Sequence, residues 1–255
     1  NKEQLQEYVD DYGEDSDFVK VRVRGVFPSA SAKQFINRED VDAAMNRDVG
    51  QVNYSRTVAI LGVDVAREGD DRSAIATKIG RDCTMPLKVF RGLDGPQLGM
   101  QVLMYANELK AKGIPRVYIN LDYTGVGASP YDWLKDKVQH LNKVISASQS
   151  TNPQRWANKR AEMWDKMRDF IRDDGVIPKS EELAEDLCIP EKLIDQKGRL
   201  LLESKDSMKR RGMNSPDTAD ALALCFAIPI QEYIEDDSWR HQRVNRHKGI
   251  RDPYA

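Results

Sequence analysis

The sequence predicts a mixed α/β fold: a five-stranded sheet that opens as an antiparallel meander, continues with parallel strands, and is flanked by helices. Three observations lead there. Strand-like apolar runs at 58–65, 73–79 and 86–92 follow one another through short connections, as in a meander. Beyond residue 95, helical and strand patterns alternate, which is how strands joined by crossovers read. A long amphipathic stretch at 152–175 then needs a sheet face to cover.

The elements follow in order. Residues 1–17 are polar and acidic without a sustained period and read as a linker or frayed helix. "FVKVRVRGVF" (18–27) alternates apolar and basic residues, as a half-exposed strand does. Pro28 to Lys33 is loop, and "NREDVDAAM" (37–45) is a short helix capped by Asn37. The first two meander strands are joined by "AREGDDR", and "PLKVFRG" (86–92) supplies the third. The helix over 95–113 has Pro96 in its first turn and Gly113 just past its end. "IPRVYINLD" (114–122) is a fourth strand, "SPYDWLKDKV" (129–138) a second helix and "KVISAS" (143–148) a short fifth strand. In the helix over 152–175, Asn152 is the expected cap, Pro153 fits the first position, and Gly175 closes it. Its apolar residues Trp156, Met163, Trp164, Met167, Phe170 and Ile171 recur at helical spacing. "KLIDQKGRLLLES" (192–204) reads as a hairpin turning at Gly198. "SPDTADALALCFAI" (215–228) is a final helix with Ser215 as cap and Pro216 at its first position.

Composition narrows the function classes. At 255 residues, with 40% hydrophobic and 31% charged residues, the chain has the balance of a soluble globular domain. No stretch approaches 18 apolar residues, which excludes a transmembrane helix. Cys83, Cys188 and Cys225 are isolated and form no CxxC, so neither a disulfide scaffold nor a thiolate zinc site is expected. The start, "NKEQLQEYVDDYGEDSDF", is neither an initiator Met nor a signal peptide, so the chain is expected to begin partway along a longer polypeptide. Net charge is −2, so a polyanion partner has to be argued from local patches. One lies at 238–255, where Arg240, Arg243, Arg246, Lys248 and Arg251 face a single acid, Asp252. His140, His241 and His247 offer no triad with Ser and Asp. Gly125 and Gly127 lack the third glycine of a dinucleotide loop, and no phosphate-loop motif occurs. These two glycines are expected to turn the chain into the next helix.

The chemistry sits in the acids. Side chains alternate along a strand, so Ile60, Gly62 and Asp64 share one face and Leu61, Val63 and Val65 the other. An unpaired buried carboxylate at Asp64 costs about 3 kcal/mol or more. Asp122 repeats the pattern at the end of "VYINLD", and strand ends are where α/β sheets place ligand chemistry. Asp217 and Asp220 lie three apart at a helix start and share a face. Either strand-end acid alone has an ordinary explanation in turn formation, and Asp217 one in the helix dipole. Together they form a cluster of like charge that demands cations, and hard oxygen donors suit Mg²⁺ or Mn²⁺. Two such ions serve in-line displacement at a phosphodiester. Asp64 is therefore expected to hold a metal.

These residues also carry a resemblance. "LGVDVAREGDDRSAI", "VYINLDYTGVGASPYDWL", "NKRAEMWDKMRDFI" and "SKDSMKRRGMNSPDTADALAL" resemble the C-terminal nuclease domain of tailed-bacteriophage large terminase subunits, over roughly residues 57–228. The resemblance implies an RNase H/RuvC-like fold that cuts double-stranded DNA during genome packaging in the infected cell's cytoplasm. It implies a nuclease domain at 57–230. Residues 1–56 would link it to an ATPase domain absent from this chain, and 231–255 would form a basic tail. The portal protein and the small terminase subunit would be partners, the tail meeting the portal, and the isolated domain a monomer. Asp64 matches the first-strand acid and Asp122 the fourth-strand acid. The final-helix acid is Asp217 or Asp220, with Asp217 favoured by its place at the helix tip. Relatives often show paired acids where this chain has Ser-Pro-Asp. Glu68, Asp70 and Asp71 lie in a turn, from which one could approach a metal. DNA would lie along Lys205, Lys209, Arg210 and Arg211, with Arg155, Lys159 and Arg160 on the long helix, since phosphates need cations near the site. The hairpin 192–204 could border the DNA groove, with a plain structural hairpin as the preferred reading.

Two rival readings come from other classes. An actin-like or sugar-kinase-like ATPase also starts with an acid on a first strand, but it needs a second similar half with a phosphate loop, and no such repeat is present. A non-catalytic portal-docking module would not need the full set of carboxylates. Junction cleavage of the resolvase kind stays within the nuclease class.

Overall fold

The computed structural model describes residues 33–66 and 72–231. The expected strand at 18–27, the acidic stretch 1–17, the turn acids Glu68, Asp70 and Asp71, and the basic tail lie outside the described residues.

Helix α1 (Arg38–Asn46) is followed by strands β1 (Val58–Asp64), β2 (Arg72–Ile79) and β3 (Lys88–Arg91). Helix α2 (Gly95–Ala111), strand β4 (Arg116–Asp122), helix α3 (Ala128–Leu134) and strand β5 (Leu141–Val144) come next. Then follow α4 (Lys159–Asp173), α5 (Glu181–Cys188), the ribbon β6 (Lys192–Ile194) and β7 (Leu200–Leu202), α6 (Lys205–Arg210) and α7 (Asp217–Leu224).

The five strands stand in the order β3-β2-β1-β4-β5. β1 pairs antiparallel with β2 and β2 with β3, whereas β1–β4 and β4–β5 are parallel. The meander followed by parallel strands is thus the arrangement the sequence predicts. In the β1–β4 register Val63 faces Leu121, so both strands deliver their terminal carboxylates, Asp64 and Asp122, to one edge of the sheet.

Alternation along β1 divides the core. Leu61 and Val63 pack on one face with Leu98, Val102 and Leu109 of α2 and Leu134 of α3. Val58 and Ile60 pack on the other with Trp164, Met167 and Ile171 of α4 and Leu222 of α7. Side chains of this size contribute roughly 1.5–3 kcal/mol each when fully buried. Gly62 lies on the second face, where an added Cβ would stand 2.0 Å from the Ala221 carbonyl oxygen. The glycine lets α7 lie directly on β1, which brings Asp217 and Asp220 up to Asp64. Phe35, Ile36, Val41, Ala44 and Met45 are buried in this same core, so the segment containing α1 is packed into the domain rather than strung beside it.

Several boundaries differ from the sequence reading, each for a tertiary reason. α4 starts at Lys159 with Asn158 as cap, accepting from the Ala161 amide at 2.9 Å. Asn152 instead caps a tight turn through Gln154. Between the two, Arg155 and Ala157 exchange backbone hydrogen bonds with Leu200 of β7, which holds that stretch extended. β5 occupies 141–144 rather than 143–148, because the Ser146 and Ser148 carbonyls accept from the Arg160 and Lys159 amides at the start of α4. α7 begins at Asp217 with Pro216, not Ser215, at its cap and no side-chain cap from its own sequence. Helices α5 and α6 were not anticipated. The hairpin turns at Gly198 as expected, with φ +77°. No disulfide links Cys83, Cys188 and Cys225. Among the described residues no helix is long and apolar enough to cross a membrane.

Candidate metal centre

Four acids meet at the sheet edge where β1 and β4 end. Asp64, Asp122, Asp217 and Asp220, together with Lys205 and Arg210, line a cleft of about 910 Å³. Each acid arrives there for a local reason. Asp64 and Asp122 are the last residues of parallel neighbours. Gly125, with φ +65°, then bends the chain through Gly127 into α3. A Cβ at Gly127 would stand 1.8 Å from the Asp122 carbonyl oxygen, so the glycines make the tight turn the sequence implied. Asp217 and Asp220 project from one face of the first turn of α7.

The four environments differ. Asp220 is held firmly: Trp164 Nε1 donates to Oδ1 at 2.8 Å, and Arg160 Nη2 reaches both oxygens at 3.0 and 3.1 Å. Burial alone would raise its pKa, but Arg160 and Lys205 outweigh that and hold it below the ordinary carboxylate range. Asp122 gives one oxygen to the turn, accepting from the Thr124 amide at 3.0 Å and its hydroxyl at 2.6 Å. Asp217 faces the Arg72 guanidinium at 3.7 Å and Lys205 Nζ at 3.8 Å. Asp64 is 5% exposed, and its nearest cation among the described residues is Lys205 Nζ at 3.8 Å. Burial pushes its pKa up to about 7; Lys205 opposes the rise, while Asp220, Asp122 and Asp217 add to it.

Lys205 is the common element. Its ammonium stands 3.0 Å from Asp220 and 3.8 Å from both Asp64 and Asp217. Burial would lower its pKa, yet the Asp220 and Asp64 carboxylates raise it above the ordinary lysine value, so it is a fixed positive charge. Among the described residues, no group of three or more acids, histidines or cysteines is arranged to hold an ion as it stands. The all-oxygen donor set around the ammonium nevertheless suits a hard divalent cation.

The expected phosphate-binding side chains divide into two groups. Lys209 and Arg210 are exposed and line the cleft. The others have partners inside the protein: Lys159 with Glu162 at 3.1 Å, Arg160 with Asp220, Arg155 with Asp165 at 2.6 Å, and Arg211 with Glu203 at 2.5 Å. Lys205 covers the carboxylates. His140 stacks on Tyr118. Sequence reasoning missed Arg72 and took Trp164 for core alone. It also missed Asp186, which accepts from the Thr218 amide at 3.1 Å; nothing local to position 186 signals that role.

No family model matches the sequence, and no curated protein matches it. Solved structures do match. The nuclease domain of the large terminase subunit gp2 of bacterial virus Sf6 superimposes with a TM-score of 0.62 at 21% identity, covering 77% of this chain and 100% of that one. A lysine-to-alanine variant of the same Sf6 domain, with manganese, gives a TM-score of 0.61 at 20% identity, over 77% of this chain and 100% of that one. The large terminase nuclease of thermophilic phage G20c with bound magnesium gives 0.55 at 12% identity, over 78% and 98%. At these identities the likeness is one of fold: this chain has the RNase H-like fold of the nuclease domains of bacteriophage large terminase subunits.

Proposed function

We propose that the chain is the nuclease domain of a viral DNA-packaging motor, a metal-dependent endonuclease that hydrolyses double-stranded DNA concatemers. The observation that carries this reading is the convergence of four carboxylates, three of them around a single lysine ammonium. An acid as buried as Asp64 with so little compensation is unfavourable for a purely structural residue, and it suits one that receives a cation. Magnesium and manganese in fold relatives support the choice of ion.

In this mechanism Asp64, Asp122 and Asp217 would hold two Mg²⁺ or Mn²⁺ ions, which would supply activation of the attacking water and stabilisation of the departing 3′ oxygen. Asp220, fixed by Arg160 and Trp164, keeps the first turn of α7 aimed at β1 and adds negative charge to the site. Lys205 neutralises the cluster in the metal-free protein and lines the cleft with Lys209 and Arg210. There the three cations would face the phosphate backbone, in contacts that weaken with salt. No side-chain nucleophile takes part. Residues 1–56 would link the domain to an ATPase domain, and the basic segment 238–255 would meet the portal.

Conversion of supercoiled plasmid tests the proposal, with Mg²⁺, Mn²⁺ or EDTA and an Asp64→Asn control. Metal-dependent nicking and linearisation that EDTA and the substitution abolish is the expected result. A folded protein that cuts under no metal contradicts it and favours the docking module.

A further inference from the structure

α7 carries two of the four site acids, yet its own cap position is Pro216, which has no side-chain acceptor to offer. The exposed amides of a first turn need a partner. Here the partner comes from another helix. Asp186 of α5, 5% exposed, accepts through Oδ2 from the Thr218 amide at 3.1 Å and from the Thr218 hydroxyl at 2.6 Å. One turn earlier on α5, Glu182 pairs with the Arg72 guanidinium, and Arg72 Nε stands 3.7 Å from Asp217 Oδ2. Glu182 and Asp186 are four residues apart and therefore project from one face of α5. That face meets α7 at two points, the backbone immediately after Asp217 and the cation beside its carboxylate.

We infer that Asp186 and Glu182 are positioning residues that aim Asp217 into the metal site, with Asp186 capping α7 from outside its own sequence. The inference rests on the metal-centre reading above. It explains why an element with no acid in the cleft carries a buried carboxylate. Burial pushes the Asp186 pKa up to about 6 against the opposing Thr218 hydrogen bonds, and what its carboxylate supplies is the cap that α7 lacks. Outer partners of metal ligands fix their orientation, and their loss typically weakens metal binding 10–100-fold.

The test uses the whole chain and Mn²⁺ alone as the probe. Mn²⁺ affinity is measured by calorimetry, and hydrogen exchange of the 215–221 segment by mass spectrometry without metal. Asp186→Ala is expected to weaken Mn²⁺ binding about tenfold or more and to speed exchange in that segment about fivefold, as loss of a helix cap does. Asp186→Asn keeps an acceptor and restores most of both. Glu182→Gln loosens Arg72 and weakens Mn²⁺ binding by a smaller factor without altering exchange. Glu181→Ala, on the same helix as Asp186, breaks only the exposed pair with Arg38 of α1 and changes neither. If Asp186→Ala does not fold, Thr218→Val deletes the hydroxyl bond alone and gives a smaller loss of affinity. Unchanged exchange in Asp186→Ala, or unchanged Mn²⁺ affinity in a folded Asp186→Ala or Thr218→Val, overturns the inference. A wild-type protein that binds no Mn²⁺ overturns the metal-centre reading and the positioning role with it; the exchange data then still report the cap.

Discussion

Two buried carboxylates show how the molecule distinguishes structure from function. At the start of α4, Glu162 is fully buried and accepts from the Thr151 amide and hydroxyl, from Lys159 and from Lys166, at 2.6–3.1 Å. Burial alone would raise its pKa, but these donors outweigh it and hold the value at about 2. At the end of β1, Asp64 is almost as buried, meets one ammonium at 3.8 Å, and is pushed up to about 7. Glu162 thus has its donors in full, as a buried structural carboxylate should. For Asp64, on the metal-centre reading, a separate cation would be the missing partner. Asp220 stands between the two, held by Arg160 and Trp164 yet open to Lys205.

The sharpest way to break this comparison is to neutralise each acid. Asp64→Asn should reduce DNA cleavage about 1000-fold, on the order of losing a principal transition-state stabiliser. Its melting temperature should hold or rise, because an amide replaces a poorly compensated charge. Glu162→Ala should do the reverse. It leaves two lysines and a threonine without their acceptor and should cost about 3 kcal/mol in a urea titration, while the folded fraction keeps its metal affinity. A third variant, Lys205→Ala, removes the counter-charge at the site. It should lower metal-free stability by about 1 kcal/mol at low salt, as befits a partly exposed pair, and enlarge the melting-temperature gain on adding Mn²⁺.

The last prediction concerns the pH dependence that Glu162 imposes. Its folded pKa lies below its unfolded value, so its stabilisation is complete above the ordinary glutamate range near 4.3. That stabilisation is lost as pH falls toward about 2. Glu162→Gln should therefore flatten the acid limb of a stability-against-pH curve. An unchanged limb would place the acid sensitivity elsewhere.

The site was legible in the sequence where local pattern sufficed. An apolar run ending in an acid marks Asp64 and Asp122 without any partner, and the parallel register brings them to one edge. Gly62 shares the face of Asp64, and the space a side chain would take there is filled by the backbone of α7. The start of α4 was misread because Asn152 and Asn158 are both competent caps, and pairing with Leu200 decides between them. Asp186 lies 32 residues before the amide it caps, so no window of sequence contains both. Lys205 read as a phosphate contact because its three carboxylates are joined to it only by folding. Arg160 and Arg211 likewise read as phosphate contacts, although each pairs inside the protein with a buried acid, Asp220 and Glu203.

The account rests on Asp64 being the partner of a divalent cation, and calorimetric titration of Mn²⁺ into wild type and Asp64→Asn tests it most directly. It predicts saturable binding to the wild type that the substitution removes while the protein stays folded. Equal binding by both proteins, or none by a folded wild type, would contradict it.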